Sequence, residues 1–152
     1  MPIHISVKVD EKELAAIGKM PKDIRSGLLK GLRKGMFEAE RVSKSRMGRP
    51  DELHIRTGHL RRSIESGVNE KGNNIIGWLG SNVIYARIHE FGGIIKPVRG
   101  QYLKFPIGDS WVSVRQVRIP PRPYLEPSIR ESMDTISKII SNTIISEVED
   151  EH

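Results

Sequence analysis

His89 and Glu90 stand side by side in the stretch YARIHEFGGIIKP, residues 85–97. Histidine and glutamate are the residue types of a general acid and base, or of half a metal site. Adjacency alone builds neither, because neighbours point about 100° apart on a helix and to opposite faces of a strand. A hydrolase would also need a nucleophile, an orienting group and an oxyanion donor, and no recognisable set, nor a G-x-S-x-G elbow, is present. A zinc site would need His89 joined by some of His4, His54, His59 and His152, yet no pair has helical ligand spacing and no H-E-x-x-H pattern occurs. GSNVIYAR lacks the lysine of a phosphate-cradling loop. With no cysteine there is no thiol nucleophile, thiolate metal site or disulfide framework. An enzyme is therefore not expected, nor any cofactor or metal; a metal-free hydrolase using His89 and Glu90 is the lesser reading.

The surroundings favour a structural role for the pair. Ile84, Ile88 and Phe91 follow a helical spacing, and Gly92 sits where a short helix takes a left-handed C-cap. His89 falls in the last turn, where the helix dipole favours an imidazolium, so the pair reads as the edge of a capped turn.

The elements that must position this turn are legible along the chain. Its 152 residues suit a single domain spanning 1–152. MPIHISVKVD alternates like a strand rather than a signal peptide, and no apolar run nears the roughly 20 residues that cross a bilayer. A cytoplasmic start and no membrane contact are expected. EKELAAIGKM predicts a short helix closed near Gly18. From Pro21 to about residue 47, Ile24, Leu28, Leu32, Met36, Ala39 and Val42 form one apolar stripe, a long helix. Gly27, Gly31 and Gly35 stack on one face of it, each costing about 1 kcal/mol relative to alanine. They are either tolerated surface glycines or the sign of close packing against another helix or subunit.

GRPDELHIR, residues 48–56, predicts an exposed loop, and TGHLRRSI a short turn capped by Thr57, with Leu60 and Ile64 on one face. SIESGVNE and IIGWLG flank KGNN as a hairpin. IIKPV, QYLKFPI and WVSVRQVRI predict further strands, the last a single alternating one. PPRP ends the sheet, and Pro127, Ser128 and Glu131 can open a second long helix through a capping box. Its stripe is Ile129, Met133, Ile136, Ile140, Ile144 and Val148. The fold class is α+β: an antiparallel β-sheet packed against two long amphipathic helices, N-terminal and C-terminal.

TGHLRRSI, WLGSNVIYARIHEFGG, LKFPI and VRIPPRPYLEPSI, in this order across roughly residues 55–130, resemble the signature of the phage virion morphogenesis, or tail-completion, family of tailed bacteriophages and prophages. The resemblance implies a structural protein at the head-tail junction (neck) or tail end, acting as an oligomeric ring. Its implied partners are copies of itself and other phage neck or tail proteins. It further implies a virion location, with host cytoplasm during assembly. Carried over, Tyr85, Ala86, His89, Glu90, Phe91, Gly92 and Gly93 are the family's turn motif. Ile119, Pro120, Arg122, Pro123, Tyr124 and Leu125 are a second, assembly motif. Arg122 could meet a carboxylate on a neighbouring subunit's C-terminal helix.

Charge divides along the chain, which is +6 overall. Residues 1–67 hold 15 Lys/Arg against 9 Asp/Glu, residues 68–125 hold 8 against 3, and residues 126–152 hold 2 against 7. A basic body and an acidic tail suit phosphate, or a neighbour met head to tail. The competing function is thus a nucleic-acid-binding module using the basic run Arg41, Lys44, Arg46, Arg49, Arg56, Arg61 and Arg62. No aromatic lies between 38 and 77 to stack on bases. In a ring the two ideas merge, with basic residues making non-specific DNA contact in the channel.

Overall fold

The computed structural model describes residues 3–8, 19–50, 53 and 58–150. The expected helix over EKELAAIGKM, the Thr57 cap, His54, Arg56, His152 and most of the 48–56 loop lie outside them.

Pro21 lacks an N–H and holds φ at −51°, so it serves as the residue that launches helix α1, Lys22–Arg46. Asp23 in the first turn and Lys44 and Arg46 in the last oppose the helix dipole. One row of α1, Leu32, Met36 and Ala39, is buried over the sheet. A second row, Gly27, Gly31 and Gly35, is buried against the C-terminal helix α4, Glu126–Asp150. A β-carbon on Gly27 would stand 2.7 Å from the α-carbon of Ile144, one on Gly31 2.7 Å from that of Ile140, and one on Gly35 2.9 Å from Ile136 Cγ2. Those neighbours ascend one helix as they descend the other, so α1 and α4 run antiparallel. The glycines are a close-approach groove and not tolerated surface positions.

The groove also corrects the stripe expected on α4. Ile129 and Ile136 are buried, but Met133 is exposed, and Ser128, Ser132 and Thr143 fill buried positions. Backbones this close leave room for small side chains only. Thr143 satisfies its hydroxyl by donating to the carbonyl of Ile139 at 2.7 Å.

Three strands form the sheet under α1: β1 (Ile3–Lys8), β2 (Ile64–Lys71) and β3 (Asn74–Ser81), in the order β1-β3-β2, all antiparallel. The expected hairpin is β2 and β3, with Gly72 at φ +62° in its turn. Ile75, Gly77 and Leu79 face the core, and Met36 of α1 lies directly over Gly77. A short helix α2, His59–Arg62, leads into β2. Ile64 is buried as expected, but as the first residue of that strand rather than on a helical face.

Beyond the sheet comes a second short helix, α3 (Ala86–Phe91), and then two ribbons. Strands β4 (Gly93–Ile95) and β7 (Val117–Ile119) pair in one, β5 (Leu103–Ile107) and β6 (Ser110–Val114) in the other. WVSVRQVRI is thus two strands that change partner at Arg115–Gln116; alternation reports the pleat of a strand, not what it pairs with. The helices also differ from the expectation that both cover the sheet: α1 lies on it, and α4 lies along α1.

Gly31→Ala is expected to destabilise the chain by about 1–3 kcal/mol, because the clash with Ile140 outweighs the roughly 1 kcal/mol gain in helix propensity. Urea unfolding reads it. A more stable variant would mean that the helices can part at no cost.

Candidate functional site

The two motifs singled out in the sequence, about 30 residues apart, meet in space. Gly93 pairs with Ile119 across the β4–β7 ribbon. Gly92 holds φ +68°, and a β-carbon there would stand 2.7 Å from the nitrogen of Pro121 and 2.8 Å from the carbonyl oxygen of Ile119. Both the backbone angle and the lack of space call for glycine. Its ψ of −176° makes it a sharp exit from α3 rather than the left-handed cap expected. The Arg122 N–H then donates to the His89 carbonyl at 2.8 Å.

Glu90 is the centre of the contact. The expected apolar face of α3 is not the buried one: Ile84 and Phe91 are exposed, while Ala86 and Glu90, four apart, face inward. At 2% exposure the Glu90 carboxylate accepts the N–H groups of Tyr124 at 2.7 Å, Leu125 at 3.0 Å and Glu126 at 3.0 Å. These amides open helix α4, where unpartnered N–H groups and the positive end of the dipole both call for an anion. A glutamate from another helix therefore does the work expected of a local capping box. Ser128 and Glu131 are used otherwise: the Ser128 hydroxyl donates to the Tyr124 carbonyl, and Glu131 pairs with Arg46 at 2.6 Å and Arg49 at 3.6 Å.

Tyr124 is fully buried and ties three helices together. Its hydroxyl donates to the Ala86 carbonyl of α3 at 3.3 Å, and its own carbonyl accepts from Ser43 of α1 at 3.1 Å. Burial, reinforced by the Glu90 charge, pushes the Tyr124 phenol well above its ordinary range, so it stays a donor. Leu125 beside it is also fully buried. His89 is half-buried with its ring edge-on to Tyr85, 5.9 Å between centroids. Burial first, and then the Arg122 charge, lower its pKa. That reverses the expected imidazolium: a six-residue helix offers too little dipole to outweigh desolvation and a guanidinium.

As chemistry, the arrangement leaves Glu90 no free role as a base, because its oxygens are committed to three backbone donors. Among the described residues no group of three or more His, Asp or Glu could hold a metal ion. What the site does is join the end of the ribbon region to the start of α4.

The chain matches a known family over residues 34–148, a span that takes in the second half of α1, strands β2 and β3, both motifs and nearly all of α4. It belongs to the phage virion morphogenesis family. No curated protein and no solved structure matches it. Membership gives the chain a role in phage virion assembly, in agreement with a site built for joining elements. No helix among the described residues is long and apolar enough to cross a membrane.

Within this family member, among the described residues, four of the seven cations of the basic run pair with three carboxylates of the chain. Arg41 pairs with Glu38 at 2.6 Å, Lys44 with Glu40 at 2.6 Å, and Arg46 and Arg49 share Glu131. Lys44, Arg61 and Arg62 with Gly58 line a shallow concavity. Sequence reasoning missed Ser43 and the Glu90–α4 contact. Only the spacing of the two motifs hinted at their union, and no local pattern announces a cap from 34 residues away.

Glu90→Gln should cost about 1–3 kcal/mol, because an amide offers one acceptor oxygen and turns its NH2 toward backbone donors. Amide exchange at residues 124–126 should accelerate; unchanged exchange would remove Glu90 from this role. The His89 titration followed by NMR should have its midpoint below 6.5. The unfolded chain then binds the proton first, so this group's contribution to stability is full above 6.5 and declines as pH falls from there toward the folded midpoint.

Proposed function

We propose that this chain is a structural subunit of the virion that acts at tail completion or head-tail joining, as an oligomeric ring, by surface complementarity. The observation that carries the reading is the state of the two ribbons: no residue from Phe91 to Pro123 is buried. Trp111 is 74% exposed and Val98 99%, and Ile94, Tyr102 and Ile107 are exposed beside them. A two-stranded ribbon is marginal in water by itself, and so many large apolar side chains left exposed on two such ribbons favour a contact with another protein.

The assembly motif holds this arm on the body. Ile119 belongs to β7, Pro120, Pro121 and Pro123 stiffen the exit, and Tyr124 and Leu125 anchor it in the core. Arg122, exposed between them, is placed to meet a neighbouring subunit. Partners on this reading are further copies of the chain and other neck or tail proteins, at the neck or tail end of the virion.

A second reading, non-specific DNA contact, has the concavity at Lys44, Arg61 and Arg62 in its favour. Any such binding should be indifferent to sequence and fall steeply with salt.

Light scattering after size exclusion, at several concentrations, is expected to give a discrete multiple of the 17.2 kDa chain. Trp111→Glu should lower that mass while leaving the urea midpoint of the body within about 0.5 kcal/mol. An oligomer unaffected by the substitution would exclude the arm from the contact.

A further inference from the structure

Among the described residues, ion pairs within the chain join residues of the body, and none involves the arm. Besides the α1 pairs, Arg25 meets Glu70, Lys30 meets Glu147, and Arg130 meets Glu126. The arm, residues 93–122, carries six Lys/Arg against Asp109 alone. Among the described residues none of those six has a carboxylate within ion-pair distance; the nearest thing to a partner is the Tyr102 ring under Arg115, 5.9 Å from the guanidinium carbon. The complementary excess is at the end of α4, where Glu149 and Asp150 are exposed and, among the described residues, without a cationic partner. Exposed Ile145 stands one turn before Glu149.

These two surfaces sit at different ends of α4. The arm is anchored through Tyr124 and Leu125 at its first residue, and Glu149 and Asp150 are its last, about 37 Å away along 25 residues. A ribbon of five-residue strands reaches about 17 Å. One copy therefore carries a basic apolar surface at one end and an acidic surface beside exposed Ile145 at the other, the arrangement that a head-to-tail contact requires. Nucleic acid suits the arm less well: residues 105–114, its outer half, bear Asp109 as their only charge together with Phe105, Ile107 and Trp111.

We infer that the arm of one copy docks on the acidic C-terminal end of α4 of a second copy, with Lys104 and Arg115 opposite Glu149 and Asp150. The inference rests on the self-assembly reading above and supplies its interface. The contact is heterologous, so each copy gives an arm and receives one.

Charge reversal in the full chain tests it. One variant carries Lys104→Glu and Arg115→Glu, the other Glu149→Lys and Asp150→Lys; circular dichroism checks that both fold. Each should weaken self-association by about tenfold or more, read as the concentration at which the mass rises. All four changes in one chain should restore it. In an equimolar mixture the acidic arm of one variant meets the basic helix of the other, and the basic arm of the second meets the acidic helix of the first, so association should return in alternating order although neither variant associates alone. A native oligomer indifferent to both reversals overturns the interface and leaves self-assembly standing. Unchanged mass with loss of salt-sensitive retention on DNA in the arm variant also overturns it, in favour of nucleic acid. A native chain that is monomeric at every concentration overturns the self-assembly reading itself, and the interface with it.

Discussion

The carboxylate of Glu90 against the first amides of α4 is the contact on which the rest of the chain depends. A buried charge is costly unless its lone pairs are filled, and here three backbone donors and a helix dipole fill them. The same contact satisfies amides that Pro127 and a buried helix start could not satisfy from water. It fixes where α4 begins. Tyr124, held in place by it, reaches α3 through its hydroxyl and α1 through the bond from Ser43. One short segment thereby registers three helices, and the glycine groove can close with Ile136, Ile140 and Ile144 opposite Gly35, Gly31 and Gly27.

From this follows a molecule of two unlike parts. The body, made of α1, α4 and the three-stranded sheet, holds the apolar core and most of the ion pairs. The ribbons between Phe91 and Pro123 hold neither. Surface ion pairs of the body contribute little stability each, but their presence there makes the unpaired cations of the arm informative. The family's work is virion assembly, and this member brings to it a packed body and an arm whose apolar residues are left exposed.

His89 and Glu90 illustrate how far residue type can mislead. As neighbours they suggest proton transfer. On α3 they diverge, Glu90 to the core and a backbone-capping role, His89 to a half-buried place beside Tyr85 and Arg122. Their structural meaning depends on Tyr124 to Glu126, residues that no local reading would connect to them.

Periodicity and backbone chemistry in the sequence alone determined the α+β class, both long helices, the β2–β3 hairpin and the positive φ at Gly92. These are local properties: a repeat of 3.6 or 2 residues, a proline that cannot donate, a glycine free to take positive φ. The order of the motifs was enough to indicate the family. Tertiary structure alone decided which face of α4 is buried, that WVSVRQVRI splits between two ribbons, that the three glycines form a groove, and that Glu90 caps a helix far along the chain. Those outcomes depend on what stands opposite a residue, and a linear pattern records spacing along the chain but not the partner across it.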